Sequence, residues 1–123
     1  MLGSAEIVAF VATTDFDKAR SFYEGILGLK FVKNDGFALV MESNRVTIRI
    51  AKVGKFKPAQ FTVLGWKLQN IQETASAMKK KGVKFERFPG MEQDALGIWT
   101  APGGAKVAWF KDPDGNILSV SEQ

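Results

Sequence analysis

Trp109-Phe110-Lys111-Asp112-Pro113-Asp114-Gly115-Asn116-Ile117-Leu118-Ser119-Val120 is the stretch from which the fold is read. Two apolar runs flank five turn-forming residues, Asp-Pro-Asp-Gly-Asn. Pro113 presets φ for an early turn position, and Gly115 accepts the positive φ that closes a tight hairpin. The stretch therefore predicts two antiparallel strands joined at 112–116. Asp112, Asp114 and Asn116 also share the spacing that opens a calcium loop. The glycine comes two positions too early for that loop, however, and no glutamate stands at the twelfth position. A hairpin turn is the better reading.

Composition bounds the rest. A chain of 123 residues is long enough for one compact unit with a real core. No apolar run approaches membrane-spanning length. Met1-Leu2-Gly3-Ser4-Ala5-Glu6 lacks the basic region and apolar core of a secretory signal. With no cysteine there is no disulfide or thiol chemistry, which fits a cytoplasmic protein. The absence of histidine removes the commonest metal ligand and the commonest general base at neutral pH. The net charge of +4 is modest, and Lys79-Lys80-Lys81 falls where a helix should end, where cations suit the helix dipole. No basic stripe interleaved with aromatics accompanies it, so neither nucleic acid nor a membrane is expected as a partner.

Ile7 to Thr13 reads as a buried strand, and Asp15 as the N-cap of the helix that follows. Phe16, Ala19, Phe22, Tyr23 and Ile26 recur at helical spacing, and Gly28 stops that helix. Strands follow at Leu29–Lys33, Phe37–Met41 and Val46–Ala51, with turns at Asn34-Asp35-Gly36 and Ser43-Asn44. Residues 53–60 have linker character. Phe61–Leu68 is again a strand, and Asn70 with Glu73 predicts a capping box. Ile71, Ala75 and Met78 form the buried stripe of a second helix ending at Gly82. A loop at Pro89–Asp94 then leads to a hairpin of 97–101 and 105–110, turning at Pro102-Gly103-Gly104.

The order repeats. Gly28-Leu29-Lys30-Phe31 is echoed by Gly82-Val83-Lys84-Phe85, and Asp15 by Asn70. A period of that length is one supersecondary unit used twice. Either copy alone would be marginally stable, so the two should share sheet or core.

Two motifs carry a resemblance. Asp15-Phe16-Asp17-Lys18-Ala19-Arg20-Ser21-Phe22-Tyr23-Glu24, closing in Leu27-Gly28-Leu29, is the first, and Phe110-Lys111-Asp112-Pro113-Asp114-Gly115-Asn116 the second. Together they resemble the vicinal oxygen chelate superfamily, the glyoxalase/bleomycin-resistance-like proteins. The resemblance implies an α+β fold of paired βαβββ modules whose eight-stranded mixed sheet curls into a cup. The boundaries would be about 5–52 for module one and 61–121 for module two, in a single domain over 1–123. It implies modules paired within or between chains, and with an open sheet edge to cover a homodimer is expected.

Metal-dependent members of that family carry ligands on strands one and four of each module. The positions implied here are Val8, Arg49, Val63 and Ser119, none of them the His or Glu that a divalent metal favours. No cofactor, metal or catalytic residue is therefore assigned. Glu42, Glu92 and Asp94 are candidate bases for a metal-free or oxygen-ligated enzyme, the alternative reading. The reading taken is a small-molecule-binding protein similar to the antibiotic-binding members.

Strand parity selects the candidate ligand residues. Arg45, Thr47, Arg49 and Ala51 share one strand face, and Phe61, Val63, Gly65 and Lys67 share another. These less apolar sets, joined by Phe10 and Ser119, should face the cup. Trp99 and Trp109, across the proposed hairpin from each other, are packing residues or a pocket wall. The candidate ligand-binding set is thus Phe10, Arg49, Lys67, Trp99, Trp109 and Ser119. Arg49 either reaches a neighbouring carboxylate such as Glu42, snorkels to the rim, or receives an anionic group on an apolar or aromatic ligand.

Overall fold

The computed structural model describes all of residues 1–123. The chain forms two compact units, 1–57 and 58–123, dividing inside the 53–60 stretch. In unit one β1 (Val8–Thr13) leads into α1 (Phe16–Arg20), which runs on into a π-helical segment, Ser21–Ile26. Then come β2 (Lys30–Asn34), β3 (Ala38–Ser43) and β4 (Val46–Lys52). Asp15 begins the helix because its extended backbone lets the carboxylate accept from the free N–H groups of Asp17 and Lys18, at 3.0 and 3.1 Å.

The expected uniform helix is instead widened in its second half. Leu27 donates its N–H to Phe22 O, five residues back, at 2.9 Å. Thirteen residues separate Asp15 from Gly28, whereas twelve separate Asn70 from Gly82. One extra residue between equivalent caps is what a π-bulge accommodates. Gly28, at φ +79°, then turns the chain out of the helix.

Sheet one has the order β1-β4-β3-β2, with β1 parallel to β4 and the other pairs antiparallel. Its register aligns Val11, Ile50 and Leu39 in one row and Ile48 with Met41 in the next, all buried. Ala19, Phe22 and Tyr23 are the buried residues of the helix. Asn44 and Arg45, at φ +46° and +70°, make the left-handed turn that suits a two-residue hairpin between β3 and β4.

Unit two repeats the order with β5 (Thr62–Lys67), α2 (Ile71–Lys80), β6 (Trp99–Thr100), β7 (Lys106–Lys111) and β8 (Ile117–Glu122). Its sheet runs β5-β8-β7-β6, with β5 parallel to β8. The buried rows are Leu118 with Phe110, and Val120 with Ala108; Ile71, Ala75 and Met78 of α2 are buried too, and that helix packs on β7 and β8. The eight strands of the two βαβββ modules are thus all present, as two open four-stranded mixed sheets in an α+β chain.

Three local expectations are corrected. Asn70 Oδ1 accepts from the Glu73 N–H at 3.1 Å, but the Glu73 carboxylate receives the Asn70 side-chain amide at 3.3 Å rather than a backbone N–H. The first N–H of α2, that of Ile71, goes instead to Glu122 Oε1 on β8 at 2.9 Å.

The echo at Val83–Phe85 does not become a strand. Phe85 makes a lone bridge to Phe110, and the Glu86 N–H reaches Trp109 O at 2.8 Å. Beyond it residues 86–98 leave the sheet edge in a loop clasped by Gln93, which accepts from the Phe88 N–H and donates to Glu86 O and Gly97 O, each at 2.9 Å. Only the two residues of β6 then return to the edge of β7.

The third correction concerns the tryptophans. Trp99 lies opposite Val107, so Trp109 is its diagonal neighbour and not its direct cross-strand partner.

The opening hairpin closes as its turn chemistry dictates. Asp112 and Asn116 are 6% and 4% exposed. Asp112 Oδ1 accepts from the N–H groups of Asp114 and Asn116 at 2.9 Å, and Oδ2 from the Asn116 amide at 2.8 Å. Both carboxylate oxygens serve the turn, so the calcium-loop spacing is a by-product of turn geometry.

Candidate functional site

A strand sends alternate side chains to opposite faces, so each sheet has a core face and an open face. In sheet one the row facing away from Val11, Ile50 and Leu39 is Phe10, Arg49 and Val40, of which Val40 is buried, flanked by Val8, Thr47 and Glu42. Phe10 is 64% exposed, and Val8 is exposed as well. The structure thus makes Phe10 and Arg49 cross-strand neighbours.

Arg49 makes an ion pair on this face. Its Nη2 donates to Asp35 Oδ2 at 2.8 Å, with the two side chains 28% and 27% exposed. The carboxylate that meets Arg49 is therefore Asp35, in the β2–β3 turn, and not Glu42. The other oxygen of Asp35 accepts from the N–H groups of Phe37 and Ala38 at 3.0 and 2.9 Å. The Arg49 hydrogen bond, then these two backbone donors, lower the Asp35 pKa from 3.8 to about 2.

In sheet two the open row runs Gly65, Ser119 and Trp109, and the next runs Lys67, Ser121, Val107 and Trp99. Four of the six candidates, Lys67, Trp99, Trp109 and Ser119, thus share this face. The indoles of Trp99 and Trp109 lie 6.1 Å apart at a tilt of 37°, and Phe88 packs edge-on to Trp109 at 5.4 Å. Gly65 leaves room beside Ser119. A Cβ there would stand 2.7 Å from Ser119 Oγ, so with any other residue the hydroxyl would have to turn away from the β5 backbone.

Sequence reasoning passed over two contributors, Asp35 and Phe88, and set Gly65 on the cup face without giving it a role. Asp35 was visible only as a turn residue, whereas a lone glycine within strand β5 was a usable sign of close approach. Of the candidate bases, Asp94 caps its own loop, Oδ1 accepting from the Leu96 and Ile98 N–H groups at 2.9 Å. Glu42 lies on the open face of sheet one, and Glu92 is exposed beside Trp99 in a groove that Gln93, Asp94 and Ile98 also line.

The residues at the implied metal positions do not fit a divalent metal. Val8 and Val63 carry no donor atom, Arg49 is a cation already paired, and Ser119 offers one neutral oxygen. No group of three or more His, Cys, Asp or Glu gathers elsewhere.

Comparison with known proteins agrees with this architecture. The YraH protein of Bacillus subtilis (strain 168) is 26% identical, over 86% of this chain and 88% of its own length. Among solved structures, a glyoxalase family protein from Bacillus anthracis superposes with a TM-score of 0.76 at 18% identity, covering 98% of this chain and 95% of its own. A lactoylglutathione lyase from Agrobacterium tumefaciens does so with a TM-score of 0.73 at 18% identity, covering 97% and 93%. At such identities the likeness is one of fold. Residues 5–120 match the sequence pattern of one family, and the chain belongs to the Glyoxalase/Bleomycin resistance protein/Dioxygenase superfamily.

Proposed function

We propose that this chain is a metal-independent cytoplasmic protein that binds a small apolar or aromatic molecule, in the manner of the antibiotic-binding members of its superfamily. The observation that carries this reading is the open row of sheet two. A neutral hydroxyl stands where a metal ligand would be, beside Gly65 and walled by Trp109 and Trp99. Apolar and aromatic walls with a few polar groups are the usual fabric of small-molecule sites. A planar ligand would stack on the indoles, and Ser119 would exchange one hydrogen bond with it.

Lys67 is the proposed cation on this face of module two; Phe10 and Arg49 are proposed separately, as contacts on the open face of module one. An anionic group reaching Arg49 would compete with Asp35 for the guanidinium. The homodimer belongs to the same reading. β1 and β5 are edge strands, and Ile7, Phe10 and Phe61 are exposed on or beside them. An exposed apolar edge calls for cover, and a second copy supplies it.

The test is a thermal-shift screen of planar aromatic compounds in the presence of EDTA. A ligand at a hundred times its Kd stabilises by about 2.7 kcal/mol, which raises Tm by roughly 10 °C for a chain of this size. The hit should lose its effect on the Trp109→Ala protein. A library-wide absence of shifts, or shifts that survive Trp109→Ala, would defeat the reading.

A further inference from the structure

A second groove lies in unit two, where the end of α2 meets the segment after Gly82 and the far limb of the 86–98 loop. Its floor is Val83 and Phe85, both buried, with Leu96 along one wall. Around it stand Lys79, Lys84 and Arg87, all exposed, and no carboxylate lines it. The three ion pairs of the chain are Arg20–Glu24, Arg49–Asp35 and Lys111–Glu86, so none of these cations is spent in one. Arg87 is held in place by neutral groups: its guanidinium donates to Gln93 O at 3.3 Å and Ala95 O at 2.9 Å. That fixes the cation without neutralising it.

We infer that this groove is a binding site for a small carboxylate with an apolar body, distinct from the indole-walled face. Uncompensated like charges around an apolar floor favour an anion whose tail leaves water. The carboxyl end of α2 opposes this with about half an elementary negative charge, against three full positive charges. The contrast with Arg49 supports the assignment, because Arg49 already has a carboxylate at 2.8 Å. The Lys79-Lys80-Lys81 run thus does more than end a helix: its first member borders a site.

The experiment is an amide NMR titration of the full chain with hexanoate, against hexanol and sulfate as controls. Saturable shifts at Gly82, Val83 and Leu96 are expected with hexanoate and absent with either control. The double variant Lys79→Glu, Lys84→Glu should weaken hexanoate by roughly tenfold or more. Leu96→Ser should weaken hexanoate several-fold by removing the apolar wall, which keeps the idea testable should the double variant fail to fold. Trp109→Ala should bind hexanoate as the unaltered chain does, which separates this site from the proposed one. Equal shifts with sulfate, no shifts at these amides, or unchanged affinity in the charge-reversed protein would overturn the inference.

Discussion

Asp35 and Arg49 show how one pair of side chains sets a measurable pH dependence. The carboxyl is lowered from 3.8 to about 2 because its charged form accepts from Arg49 and two backbone N–H groups. A group with a depressed folded pKa stabilises the fold above its unfolded value and loses that contribution as pH falls through the folded one. The stability difference between the unaltered chain and Asp35→Asn should therefore be flat above about pH 5 and shrink between pH 5 and 2. Urea midpoints measured down that range check it; a gap that persists unchanged at pH 2 would contradict the pairing. Asp112 gives the larger single-residue effect. Replacing it with Ala leaves two backbone donors and one amide unmet inside the turn, at a cost of about 2–3 kcal/mol by chemical unfolding. A loss under half a kcal/mol would mean that the turn does not depend on that carboxylate.

At the scale of elements, what could be read from the sequence was whatever local chemistry decides. The caps Asp15 and Asn70, the stops Gly28 and Gly82, and the Asp112–Asn116 turn each depend on residues within a few positions of one another. The features that escaped reading depend on distant or competing groups. Asp35 meets Arg49 from fourteen residues away, across β3. Val83–Phe85 has the pattern of a strand, yet the Gln93 clasp draws the following residues off the edge of β7, and no local propensity encodes a side chain bonding to three backbone groups of its own loop. Gln93→Ala should loosen that loop. The Phe88 amide is expected to exchange with solvent at least tenfold faster, with about 1–3 kcal/mol lost, because two carbonyls and one N–H lose their partner. Unchanged exchange at Phe88 would show that the loop is held by other means.

At the scale of the whole molecule, the same alternation rule that located the open faces also explains the grouping of Lys67, Trp99, Trp109 and Ser119, since parity fixes which side chains share a side once register is set. The hairpin at 112–116 sets the register of β7 against β8, whereas Lys67 and Trp99 join this face through the β5–β8 and β6–β7 pairings. What parity cannot supply is the close approach of Ser119 to β5, which rests on Gly65 lacking a Cβ. Self-association belongs to this scale as well. Ile7→Glu, placing a charge on the exposed apolar residue beside β1, should shift a dimer to monomer in sedimentation velocity at micromolar concentration. A monomer in the unaltered chain at high micromolar concentration would contradict the dimer.

The proposal that binding is independent of metal is tested most directly by calorimetric titration of the best ligand from the screen. The titration is run in EDTA and then with zinc, nickel or manganese added in turn. The predicted result is one Kd throughout, because Val8, Arg49, Val63 and Ser119 give a divalent ion no donor set. Binding that appears only when a metal is supplied, or that tightens in proportion to metal occupancy, would contradict it.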